Sequence, residues 1–201
     1  MINYQYIRYL FLIPFLTLSV TVSASSIRQL DMSEMLGLAE LVFEGEVINS
    51  DVRWNDDETL IKTHITFNIS DVIVGDYQHD TLEVSFVGGT IGINSMQAEG
   101  LRTPEVGEKG IYFIESISRP LVSPLVGWSQ GHFLLKKDAS GNEYVMTDQH
   151  EHVMGITSKA PKARALSKGV ARNVVVSKGE SSRGMSAIKF KEELRRRAKN
   201  K

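Results

Sequence analysis

The feature that most limits the fold of this chain is a regular alternation of apolar and polar residues between Leu60 and Val74. Ile65 and Phe67 are apolar, and their immediate neighbours His64, Thr66 and Asn68 are polar. Because successive side chains of a β-strand point to opposite faces, a period of two predicts a long strand with one buried face. The segment therefore favours a sheet over a helical bundle.

Shorter apolar segments, separated by turn residues, predict further strands. We expect strands at about 41–52, 60–74, 81–87, 111–115, 131–137 and 143–147. The turn composition of 55–58 and of 138–142 predicts two hairpins. Asp31 and Glu34 have the spacing of a capping box, which predicts a short helix at about 33–39.

This strand count favours closure, which limits exposed strand edges. We expect a mainly β fold: an OB-like, partly closed β-barrel of six or seven strands with one short N-terminal helix. Gly88 and Gly89 follow the third predicted strand. Two adjacent glycines allow the positive φ angles that a bend or bulge requires, so a structural role is predicted for both.

The first 24 residues have the composition of a cleavable secretory signal. Arg8 precedes an apolar run from Leu10 to Val22, and small residues follow at 23–24. We expect export to the periplasm or the cell exterior, with a mature chain from Ser25; the alternative is an uncleaved anchor. The chain contains no Cys, which excludes disulfides, thiolate catalysis and thiolate metal sites.

Charge divides the rest of the chain into an acidic body and a basic tail. Residues 25–158 contain 8 Lys plus Arg and 21 Asp plus Glu, whereas residues 159–201 contain 14 and 3. Because the tail has few large apolar residues, we expect it to be largely disordered, with a terminal short helix that orders only against a partner. The predicted parts are a signal peptide at 1–24, an acidic β-barrel domain at 25–158 and the basic tail at 159–201.

Several stretches of the body follow the order seen in a known family. They are Ala39–Val47 (AELVFEGEV), Asp71–Asp76 (DVIVGD) and Val106–Phe113 (VGEKGIYF). This order resembles netrin-like domains, which include tissue inhibitors of metalloproteinases, and a family of uncharacterised bacterial secreted proteins with Gly-Gly after the third strand. The resemblance implies an OB-type barrel. Those inhibitors bind zinc through an N-terminal Cys, whereas this chain has Ser25, so their mechanism is not carried over.

A metal site is the alternative that His150 and His152 leave open. In an extended segment their imidazoles would lie on one face and could bind zinc or copper. The local sequence lacks a third ligand, which His132 or Asp148 would have to supply from elsewhere in the fold. The alternative is therefore a metal-binding protein or a metal-dependent hydrolase centred on His150 and His152. No cofactor is predicted, and the chain has no Gly-x-Ser-x-Gly nucleophile elbow.

We expect a non-enzymatic exported binding module that recognises a protein, a glycan or an anionic surface. One predicted contact region lies in the loop 116–128; its alternative role is to fill one end of the barrel. The other lies in the tail, whose cations would attract an anionic membrane or cell surface, and no specific nucleic acid is expected. The candidate residues are Leu121, Val122, Leu125, Val126 and Trp128 in the loop, and Arg195, Arg196 and Arg197 in the tail.

Overall fold

A computed structural model describes residues 27–159, 161, 169–177 and 184–200. The predicted signal peptide at 1–24 lies outside these residues. The nine described strands form one antiparallel sheet in the order β4-β3-β2-β1-β5-β6-β7-β8-β9, with two short helices. The mainly β fold is therefore confirmed, and the predicted count of six or seven strands is wrong.

The strands are β1 (Leu41–Trp54), β2 (Ile61–Val74), β3 (Thr81–Ile91), β4 (Asn94–Gln97), β5 (Lys109–Ile114), β6 (His132–Lys137), β7 (Glu143–Thr147), β8 (His152–Ile156) and β9 (Val174–Ser177). The α-helices are α1 (Met32–Leu38) and α2 (Ala187–Lys199), and a short 3-10 helix covers Trp128–Gly131. The strands missing from the prediction are β4, β8 and β9. Each has only four or five residues, too few for a clear alternating pattern.

The predicted capping box begins α1. The carboxylate of Asp31 accepts hydrogen bonds from the backbone N–H groups of Ser33 and Glu34, and Glu34 accepts one from the backbone N–H of Asp31. Arg172, just before β9, also contacts the carboxylates of Asp31 and Glu34, at 2.8 and 2.6 Å. The start of α1 is thereby joined to the far end of the sheet.

Two clusters of buried side chains lie on opposite faces of β1. The helix-side core contains Val42 of β1 together with residues of β5 to β9 and both helices. The aromatic core contains Phe43 of β1 with Phe67 of β2 and Tyr112 of β5, whose ring centroids lie 4.5 to 5.5 Å apart. The alternation of side chains along β1 therefore supplies both cores.

The predicted barrel is not formed, because β4 and β9 are the two ends of an unclosed sheet of described strands. The loop 116–126 instead lies between β3 and β5: the N–H of Val87 donates to the carbonyl of Val122 at 2.9 Å, and Leu125 forms a bridge with Ile114. Pro120 and Pro124 flank this contact and lack N–H donors, so the loop cannot form a regular closing strand.

The described part of the basic tail is ordered, contrary to the prediction for 159–201. Val174–Ser177 pairs with β8 as β9, and α2 packs on the sheet. Phe190 and Leu194 of α2 are fully buried, and the ring centroids of Phe190 and Phe133 lie 4.9 Å apart. The terminal helix is confirmed, but its partner is the protein's own body. Residues 162–168 and 178–183 lie outside the described part of the chain.

A network of charges holds α2 against the acidic body. Lys191 contacts Glu44 at 2.5 Å and Asp71 at 2.8 Å, Arg195 contacts Asp71 at 2.5 Å, and Lys109 contacts Glu44 at 2.9 Å. Burial raises the pKa of Glu44, but its contacts with Lys191 and Lys109 outweigh burial and hold the pKa below its usual range. The opposite charges of tail and body therefore meet within one fold.

Replacing Phe190 with Ala is expected to destabilise the protein by about 3–5 kcal/mol, because it leaves a cavity between α2 and β6. Ile188 lies on the same helix and is 68% exposed, so Ile188→Ala is the matched control and should change stability by less than about 0.5 kcal/mol. Urea unfolding followed by circular dichroism measures both. Equal, small effects would contradict the packing of α2.

Candidate functional site

The three tail arginines differ in what they can reach. Arg195 contacts Asp71, and Arg197 contacts Glu193 at 2.6 Å and the carbonyls of Ile156 and Thr157. Arg196 also pairs with Glu193, and its side chain is 60% exposed. All three arginines therefore pair with acidic residues of the protein, Arg196 is the most exposed of them, and the anionic contact stays a prediction.

The structure does not bring His150 and His152 together as an extended pair. His150 is exposed in a turn with a φ angle of 61°, so the assumption of an extended segment is wrong at this residue. His152 begins β8, and its ring stacks on that of Tyr144 at 5.2 Å. Within the described ranges, no group of three His, Cys, Asp or Glu residues is placed to hold a metal ion.

The predicted contact loop is divided between core and surface. Leu125 lies in the aromatic core and Val126 in the helix-side core, so these two residues pack in the two cores of the sheet and do not close a barrel end. Val122 is 46% exposed, and Leu121 and Trp128 are partly exposed. Only these three loop candidates remain available for a partner.

A small cleft of about 290 Å³ lies between this loop and the outer face of β2 and β3. Leu121 lines it together with His64 and Glu83, whose Nδ1 and Oε1 atoms lie 3.2 Å apart. Arg53 also contacts Glu83, at 3.0 Å. Glu83 is thus paired, and Arg119, which also lines the cleft, contacts Glu115 at 3.1 Å.

Gly88 and Gly89 have the predicted positive φ angles, 125° and 134°. They lie within β3, at its pairing with β4, and the hydroxyl of Thr63 donates to the carbonyl of Gly88 at 2.8 Å. A Cβ atom on Gly89 would lie 2.5 Å from a methyl carbon of Val52. Only glycine therefore allows β1, β2 and the β3–β4 hairpin to approach so closely.

The larger cleft, about 510 Å³, lies beside these glycines. Its walls are residues 87–90 of β3, residues 95–97 of β4, Thr63 of β2 and the segment 98–103. Thr, Ser, Gln and backbone groups provide its polar lining, and Met96 and Leu101 are its largest apolar side chains. Arg102 is the one charged side chain among the described residues that line it.

Arg102 is fixed by a buried cluster behind the cleft. Nη1 lies 3.3 Å from Oε1 of Glu108 and 3.3 Å from Nδ1 of His132, while Nη2 contacts Oε2 of Glu108. His132 is fully buried, its Nε2 lies 2.8 Å from Glu108, and its ring stacks on Tyr112 at 5.0 Å. Since Nδ1 accepts from Arg102, the proton of a neutral His132 is assigned to Nε2.

Two carboxyl groups of this cluster have opposite pKa shifts. Burial raises the pKa of Glu108, but contacts with His132 and Arg102 outweigh burial and leave the pKa below its usual range. Burial also raises the pKa of Asp148. The nearby His132, Ser129 and Arg102 lower this pKa by less, so it stays above its usual range. Oδ1 of Asp148 is buried and has no hydrogen-bond partner among the described residues.

Sequence reasoning did not identify Arg102, Glu108, His132 and Asp148 as one group. Glu108 lies six residues from Arg102 along the chain. His132, however, begins β6, and Asp148 directly follows β7. Gly88–Gly89 indicates backbone geometry rather than chemistry, and the sequence predicts His132 or Asp148 only as a further ligand of a metal at His150 and His152.

No family model matches the chain, and no curated protein or solved structure matches it either. The similarity to netrin-like domains therefore has no support beyond a sheet-rich fold. Among the described helices, none is long and apolar enough to cross a membrane.

Asp148→Asn is expected to stabilise the protein at neutral pH. The folded-state pKa of Asp148 is raised, so its contribution to stability is present at low pH and lost as pH rises through that pKa. The advantage of the variant should therefore shrink as pH falls. Urea unfolding at several pH values measures this difference, with Asp56→Asn in an exposed turn as the control. A variant less stable than the wild type at pH 7 would contradict this prediction.

Proposed function

We propose that this protein is an exported, non-enzymatic binding module that holds an extended segment of a partner protein in the cleft beside β4. The observation that carries the proposal is the position of this cleft next to a free strand edge. Among the described strands, β4 pairs with β3 alone. An exposed edge strand can add an extended peptide as a further strand, with main-chain hydrogen bonds for affinity.

The hairpin geometry supports this mode of binding. Ile91 pairs with Asn94 across a two-residue turn, and Thr90 pairs with Ser95. In an antiparallel hairpin closed in this way, hydrogen-bonded and non-hydrogen-bonded pairs alternate, so the main-chain groups of Ser95 and Gln97 are expected to point outward. Ile93 at the tip is 99% exposed and offers an apolar contact.

The cleft lining supports binding rather than catalysis. A volume of about 510 Å³ suits a ligand side chain or short segment. The described lining contains no His, Asp, Glu, Cys or Lys, and so provides no nucleophilic thiol and no general base. It contains no aromatic ring to stack on a sugar, which favours a peptide over a glycan.

We expect a displayed library of short unstructured peptides to yield sequences that bind the mature protein. Gln97→Pro removes an outward N–H donor, and binding of these peptides should weaken about two- to tenfold, the worth of one net hydrogen bond. Gln97→Ala keeps that donor and is the matched control. Fluorescence anisotropy measures the dissociation constants.

A glycan array and anionic vesicles provide the competing outcomes. Binding to either, with no peptide enriched, would contradict the proposal. Equal peptide affinities for Gln97→Pro and Gln97→Ala would reject strand addition along β4.

A further inference from the structure

We infer that the cleft selects a partner segment that carries a carboxylate, and that this carboxylate binds side-on to Nε and Nη2 of Arg102. The inference rests on the proposed function and names the ligand chemistry of the same cleft. It is based on which N–H donors of the Arg102 guanidinium group bind Glu108 and His132, and on which donors remain for a ligand.

A guanidinium group has five N–H donors. Glu108 faces the end of the group, with one oxygen near Nη1 and the other at Nη2, and therefore takes the two hydrogens that lie between these nitrogens. His132 Nδ1 takes the outer hydrogen of Nη1. Three of the five donors are thus directed into the buried cluster.

The Nε–H and the outer hydrogen of Nη2 remain, and they point in parallel along one side of the group. No described residue accepts a hydrogen bond from Nε, and the Arg102 side chain is 30% exposed where it lines the cleft. Two parallel N–H donors match the two oxygens of a carboxylate. The side of Arg102 that faces no buried partner is therefore suited to bidentate recognition.

The buried cluster also holds this fork, the donor pair of Nε and Nη2, in place before a ligand arrives. Glu108 is almost completely buried, and His132 is held by its stacking on Tyr112. A donor pair held in place by such contacts loses less conformational freedom on binding than a free surface arginine. Glu105 and Asp148 also act on Arg102 through their charge, so selection depends on fork geometry more than on net positive potential.

The first experiment changes only the ligand. Peptides from the library are compared with versions in which each Glu or Asp is replaced by Gln or Asn, and with versions whose C-terminal carboxyl is amidated. One of these changes should weaken binding to the wild-type protein roughly 10- to 100-fold, the worth of charge-assisted hydrogen bonds. If the Gln or Asn replacement weakens binding, the ligand group is a side-chain carboxylate. If amidation weakens binding, it is the carboxylate of the chain terminus.

The second experiment changes the receptor. Arg102→Lys keeps the charge but removes the fork, so the preference for the acidic peptide should fall to less than about threefold. Arg119→Lys, at the smaller cleft, is the matched control and should keep the full preference. If Arg102→Lys does not fold, the peptide comparison on the wild-type protein still decides the question.

Acetate titration followed by NMR provides a readout that needs no peptide. Saturable shifts of the Arg102 Nε–H signal in the wild-type protein, and none at Arg119, are expected. Equal affinity for acidic and amide peptides, or no acetate response at Nε, would overturn the inference. Absence of any binding peptide together with a clear acetate response would reject the proposed function and leave the anion site in place.

Discussion

The structure depends first on the alternation of side chains along β1. Val42 points into the helix-side core, whereas Leu41 and Phe43 point into the aromatic core. The same strand pairs with β2 on one side and β5 on the other. Both faces of β1 are thus buried near its start, and every other element lies in one of the two cores or is attached to a strand that does.

The second requirement is cover for the helix-side core, which α1 and α2 provide. Ala187, Phe190 and Leu194 recur at helical spacing and form one buried face of α2. A helix of this length is marginal alone, but burial against Phe133 and the pairing of Lys191 with Glu44 stabilise it in place. The acidic body and the basic tail are therefore two parts of one fold with complementary charges.

The predictable parts of the fold are those set by local patterns. The alternation of 60–74 predicts β2, and the spacing of Asp31 and Glu34 predicts the start of α1, because neighbouring residues determine both. The position of α2 was not predictable in this way, since average composition hides three apolar residues on one helix face. Strand β9 has only four residues, too few for a clear alternating pattern, and it forms by pairing with β8.

The candidate site was less predictable than the fold. Gly88–Gly89 marked a special backbone segment, but Arg102 lies in a polar stretch with no motif, and its partner His132 is thirty residues away. The apolar residues of the loop 116–128 predict a contact surface, yet Leu125 and Val126 are apolar because they fill the two cores. Apolar character alone does not separate a contact surface from buried packing.

The most direct test of this account is native-state hydrogen exchange of residues 25–201. If β1 and α2 belong to one cooperative unit, the amides of Phe190 and Leu194 should exchange about as slowly as the amide of Phe43, with the free energy of global unfolding. Exchange of the α2 amides at rates typical of an unfolded chain, while β1 stays protected, would contradict it.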